Sequence, residues 1–354
     1  MSVLWQIRLK KADGSLSEII DHFAGFSFVQ RVNTKGAYAL RLDGNDAKCA
    51  SFALDGQLEF WWRDLEHGID WRKEFEAFHR NPDYYVTEKG ALMFESSGPG
   101  YNHLLDRRIV EAAAGSSGGR KSGKAETICK AWVNEQCGPG AGARAIADLS
   151  MQADATTGNT IKLSRSRKKV LSVCQDIARI GGGDFAVVGT GAATYEFRWY
   201  NGQLGTDRSA SVIFTLERGN MARPRLYYPR SNEVNAVLVA GQGAGTDRTT
   251  SWRTDASLID DSPINRIESF KDARNTPDDG LDDVGDIVLD EGKPRQRLTF
   301  DVIQIAGCMF GKDYFLGDLC TAKFLDYEGT VKAMEVGVNV SEKGTTWKVG
   351  MENV

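Results

Sequence analysis

A chain of 354 residues, 41% hydrophobic and 26% charged, has enough apolar surface to build two or three domains, and its composition excludes a disordered, collagenous or coiled-coil protein. Its net charge of −4 supplies no global basic field for holding nucleic acid. No apolar run approaches the roughly 18 residues of a bilayer span, and the first residues lack the basic lead and apolar stretch of a secretory signal, so neither a membrane-spanning segment nor a leader is expected.

Glycine is abundant, 38 residues, as suits a chain of short strands and tight turns. Val3, Trp5, Ile7 and Leu9 alternate with polar residues, and Phe26, Phe28, Tyr38, Leu40 and Leu42 continue the period of two, predicting antiparallel strands. Two aromatic-rich runs, 58–63 and 71–78, are separated by Asp64, Glu66, His67 and Gly68, which suit a hairpin. A Gly/Ser-rich stretch at 111–121 then marks a linker and a domain boundary.

Beyond it the period changes. Ala125, Ile128, Cys129, Trp132, Val133 and Gln136 keep helical spacing up to Gly138 and Pro139, a stop signal. A second helix is predicted over 166–180, with Val170, Val173, Cys174, Ile177 and Ala178 on one face and Gly181, Gly182 and Gly183 ending it. Strands at 185–188, around Tyr195, Phe197 and Trp199, and at 212–216, with a turn at Asn201-Gly202, are expected to form a small sheet under these helices. Strand patterning returns at 234–240 and 265–270. Between Thr276 and Glu291 seven acids and no base accompany Leu281, Val284, Ile287 and Val288, which reads as a helix with a solvated acidic face. Strands around Leu298, Phe300 and Val302 and at 319–325, 331–340 and 347–351 close the chain. The fold expected is mainly β with an α+β insert: a β-barrel-like domain at 1–110, the linker at 111–121, the insert at 122–217, return strands and the acidic helix at 218–297, and a second β-barrel-like domain at 298–354.

Catalytic patterns fail on their context. Residues 118–125 fit G-x-x-x-x-G-K, but Ala125 has no hydroxyl for Mg²⁺ and no buried parallel strand delivers the loop. The G-x-S-x-G at 115–119 lies in low-complexity sequence, and the glycines at 241–245 lack the acidic partner of a dinucleotide site. The four histidines, His22, His67, His79 and His103, form no H-E-x-x-H, and the six scattered cysteines read as buried free thiols. The basic run Arg165, Arg167, Lys168 and Lys169 reads as a solvated helix start, with a partner-facing patch as the alternative. No enzyme, metal or cofactor is expected. Eight tryptophans and many carboxylates keep a glycan hydrolase or a carbohydrate-binding protein as the alternative.

Three segments, 98–110 (GPGYNHLLDRRIV), 263–274 (PINRIESFKDAR) and 310–318 (FGKDYFLGD), resemble in order and spacing the tail proteins of long-tailed bacteriophages that form the hub of the tail tip or baseplate. The resemblance covers nearly the whole chain and implies a structural protein of the virion, similar to the trimeric hub of contractile-tailed phages. It implies a homotrimer with the tail tube or a distal tail protein on one side, a central spike or fibre on the other, and DNA only in passage. It brings no catalytic residues. The positions it shares are turns and strand starts: Asp106, Arg107 and Arg108, and Gly317 and Asp318, which would reverse the chain into a strand at Leu319.

Overall fold

A computed structural model describes residues 3–111, 119–274 and 276–353. The alternation of the first hundred residues yields β1 (Leu4–Lys10), β2 (Leu16–Ile20), β3 (Gly25–Arg31), β4 (Ala37–Asp43), β5 (Gln57–Asp64), β6 (Ile69–Phe78), β7 (Asn81–Val86) and β8 (Leu92–Gly98). The short helix α1 (His103–Asp106) leads towards β9 (Gly119–Lys124), α2 (Ala125–Gln136), β10 (Leu149–Met151), β11 (Thr160–Arg165), α3 (Val170–Gly181), β12 (Gly183–Gly191) and β13 (Thr194–Asn201). Then follow β14 (Ile213–Phe214), β15 (Met221–Tyr227), β16 (Ala236–Ala240), β17 (Thr250–Thr254), α4 (Ala256–Ile259), β18 (Glu268–Asp272) and α5 (Leu281–Gly292). The chain closes with β19 (Arg297–Val302), β20 (Leu319–Phe324), β21 (Tyr327–Ser341) and β22 (Gly344–Asn353).

The protein is mainly β, with helices concentrated between the two strand-rich ends. Its largest sheet has the order β15-β19-β22-β21-β3-β4-β8-β7, with β20 on β21 and β14 on β20. The second sheet, β2-β1-β5-β6, faces it. Their inward residues form one core: Ile7, Phe60 and Trp62 meet Phe26, Phe28 and Leu40, and Val338, Trp347 and Val349 extend it into the C-terminal strands. Trp5 stacks on Trp62 at 6.0 Å and lies 5.8 Å from Trp347, so residues from both ends of the chain share one aromatic cluster. The barrel-like closure expected for the two ends is not what forms. β21 bonds to β3, merging strands of both regions into one open sheet, and no described sheet closes on itself.

In the insert, the β12–β13 hairpin carries β10 in parallel, and α2 and α3 bury Trp132, Val133, Val173 and Ile177 against Phe185 and Phe197. Asn201-Gly202 is not a turn within that sheet; it ends β13, and β14 leaves to pair in parallel with β20. The second helix starts at Val170, because Arg165 completes β11 and Arg167 takes a left-handed φ of 58°. Gly182, at φ 69°, caps it as expected. Of the linker, 112–118 lie outside the described residues, as does most of the G-x-S-x-G, while 119–121 belong to β9. β9 runs antiparallel to β11, which turns the G-x-x-x-x-G-K segment into an edge strand rather than a phosphate loop.

The sheet β17-β16-β18 packs Val237 and Val239 on Leu281 and Val284 of α5. The acids of this helix are not simply solvated. Asp286 accepts from Arg253 Nε at 2.8 Å, Asp282 from Ser251 Oγ at 2.7 Å and Asp283 from the Lys162 backbone, while Glu291 pairs with Arg179. Asp282 and Asp286 thus tie the helix to its own sheet, and Asp283 and Glu291 tie this small unit to the insert. All six cysteines are free and buried.

Candidate functional site

The residues singled out from the sequence fall at two places, one where the chain enters the insert and one just beyond where it leaves. At the entrance, α1 sends Leu104 and Leu105 into the insert core, and the backbone of 108–110 ladders onto 167–170: Val110 N donates to Lys168 O, Arg167 N to Val110 O and Val170 N to Arg108 O. The Asp106 carboxylate accepts from Lys35 Nζ at 2.8 Å and its carbonyl from Lys169 Nζ at 2.7 Å. Arg107 forms a two-pronged pair with Asp55, at 2.6 and 3.0 Å, over the ring of Phe78. Burial pushes the Asp55 carboxyl up, but the hydrogen bonds from Arg107 and Arg80 reverse this and leave it below the usual range. Arg108 donates to the Arg144 carbonyl at 2.7 Å. His103 is lowered to about 4 by burial, and then by Arg107 and Lys35, against the weaker attraction of Asp106.

Beyond the exit, Gly317 adopts φ 86° and Asp318 is buried. One Asp318 oxygen accepts from Thr206 N at 2.6 Å, and the other from Arg208 Nε at 2.7 Å and Phe315 N at 2.9 Å. The Phe315 ring lies between Arg72 and Arg208, at 4.6 and 5.4 Å. A third bond crosses between these points: Asp184 of β12 accepts from Lys332 of β21, from Asn33 Nδ2 at 2.9 Å and from Leu204 N at 2.7 Å. Asp55, Asp184 and Arg208 carry no local signal, because their ion-pair partners Arg107, Lys332 and Asp318 stand 52, 148 and 110 positions away. The remaining quoted segment, 263–274, supplies β18 and Asn265, whose Nδ2 donates to Leu258 O at 2.7 Å.

These groups hold one another. The same is true of the cleft of about 1100 Å³ between insert and sheet: Arg179 pairs with Glu291, Lys332 with Asp184, Arg295 with Asp290 and Arg230 with Asp261. Among the described residues no three histidine, cysteine, aspartate or glutamate side chains are grouped to hold a metal, and no helix is long and apolar enough to cross a membrane.

The largest feature facing outward is the side of the big sheet turned away from the core. Ser27, Val29, Ala37, Ala39, Ser97, Gly337 and Asn339 give it mostly small side chains, three of them polar. Three of its arginines are tied to carboxylates on neighbouring strands, Arg31 to Glu335, Arg41 to Glu95 at 3.4 Å and Arg223 to Asp301, while Arg225 and Lys348 on the same face meet no carboxylate among the described residues.

This open, strand-rich scaffold with an inserted helical unit is a fold seen in solved tail proteins. It is shared with the tail protein from Neisseria meningitidis MC58 (TM-score 0.58, 13% identity, 100% of this chain and 97% of that one). It is shared also with the prophage MuSo2 43 kDa tail protein from Shewanella oneidensis (0.62, 10%, 98% of each) and prophage tail protein gp18 from Listeria monocytogenes EGD-e (0.57, 9%, 100% and 95%). The chain belongs to the Siphovirus ReqiPepy6 Gp37-like protein family, which it matches over residues 5–351. No curated protein matches it.

Proposed function

We propose that this tail protein is the hub of the tail tip or baseplate, three copies forming a ring that joins the tail tube to a central spike or fibre and leaves a channel for DNA. The observation that carries this reading is the outward face of the big sheet. A wall along which DNA slides must not hold phosphates, and the pairing of Arg31, Arg41 and Arg223 with Glu335, Glu95 and Asp301 removes most of this face's arginine charge, leaving Arg225 and Lys348 unpaired among the described residues. In this reading the turns at Asp106, Arg107 and Arg108 and at Gly317 and Asp318 set the insert to one side of the ring, and the protein resides in the virion.

The glycan alternative draws on the eight tryptophans and the many carboxylates, and the tryptophans give it little support. Trp5, Trp62, Trp132, Trp199 and Trp347 are buried, and Arg8, Arg63 and Arg266 lie over the rings of Trp61, Trp71 and Trp252. Electron cryomicroscopy of the particle tests the hub reading. The expected map shows three copies around the tail axis with Ser27, Ala39 and Asn339 towards the channel; a single copy, a two-fold pair or the opposite face inward overturns it.

A further inference from the structure

The main path of the big sheet ends on β15 at one side and β7 at the other, seven inter-strand spacings or about 34 Å apart along the sheet, while the two-residue β14 ends the side branch through β20. The chemistry of the β15 and β7 ends is opposite. Residues 218–230 (RGNMARPRLYYPR) carry four arginines and no acid. Arg223 and Arg230 have carboxylates, but Arg225 lies over the Tyr227 ring at 5.5 Å and meets no carboxylate among the described residues. The β7–β8 hairpin, 81–98, carries Asp83, Glu88 and Glu95 against the single Lys89. Asp83 stands in register with Glu95, a like-charge pairing that disfavours the hairpin, and Glu95 has Arg41 while Asp83 has no cation among the described residues. Both ends also present exposed side chains of the kind that anchor interfaces, Tyr227 and Tyr228 on one, Tyr84 and Val86 on the other.

We infer that the β15 end of one copy docks on the β7 end of the next, with Arg225 of one facing Asp83 of the other and the tyrosines packing between them. This rests on the ring reading and names the surfaces that close the ring. A second copy is the occupant because the two ends complement each other and not themselves, which is what a head-to-tail, closed cyclic contact requires. Pro224 in β15 and Pro82 in β7 remove backbone donors, so the side chains rather than an unbroken ladder set the specificity.

Sedimentation of the purified full chain tests this with the wild type, Asp83→Lys, Arg225→Asp and the double reversal. Each single reversal is expected to weaken self-association about tenfold or more, and the double reversal to recover most of it. Because both side chains are exposed, and Asp83→Lys replaces a like-charge pairing with Glu95 by an opposite one, the thermal midpoints of the singles should not fall below the wild type's, which separates lost docking from lost folding. An oligomer indifferent to both reversals, no recovery in the double variant, or a wild type that stays monomeric throughout overturns the inference. The particle map tests the ring reading separately: three copies around the axis with other surfaces in contact would leave that reading standing and this one refuted.

Discussion

Gly317 shows how much one backbone angle can hold. At φ 86° a side chain is strained, and a Cβ there would sit 2.8 Å from Leu204 Cβ and 2.9 Å from Gly205 N. Gly317→Ala should therefore cost about 1–3 kcal/mol. Gly90 has a similar φ of 82° but open space around it, so Gly90→Ala should cost less by the packing part; equal losses in chemical denaturation would contradict this account. His103 is the residue through which pH acts at the insert entrance. Its folded value of about 4 lies below the unfolded imidazole's 6.5, so its contribution is fully present above pH 6.5 and is lost as pH falls towards 4. His103→Gln should flatten the fall in thermal midpoint across that window, and an unchanged slope would assign the acid sensitivity elsewhere.

Among the elements, α2 depends on a buried pair within its first turns. Glu126 accepts from Lys130 Nζ at 2.5 Å, Ala155 N at 3.1 Å and Thr157 N at 2.9 Å, so it ties the helix to the loop before β11. Burial pushes its carboxyl up, but these bonds outweigh it and bring it to about 2. Glu126→Ala leaves Lys130 buried without its charge partner, for an expected loss of about 3 kcal/mol measured by urea unfolding. Lys124, one residue before this helix, is exposed at the end of an edge strand, so Lys124→Ala should leave stability unchanged; ATP hydrolysis by the wild type that the variant lacks would reinstate the phosphate loop. The strands with clean alternation, such as β1, β3 and β4, and the helices with Gly stops were legible in the sequence. Periodicity does not say which strands pair, so the merging of both ends into one open sheet was hidden. The strand expected at 212–216 forms as the short β14, but its partner is β20 and not the sheet of the insert. The acids of α5 looked solvated because Arg253, Lys162 and Arg179 reach them from other elements.

At the scale of the whole molecule, the pairing of β3 with β21 has a cost in time. Arg31 and its partner Glu335 are 304 positions apart, and translation at 5–20 residues per second separates them by roughly 15–60 s. For that interval β3 lies beside β4 with its other edge unpaired, and Phe26 and Phe28 lack the C-terminal part of their core. Such non-local closure makes folding slow and leaves an early product prone to association. Residues 1–111 expressed alone should be insoluble and should gain solubility when 298–354 are co-expressed; a soluble, cooperatively unfolding 1–111 fragment would show that the early strands need no such partner. The chain is thus committed to its native state last at the seam between β3 and β21, and a nascent tail protein must be shielded there until β21 has been made.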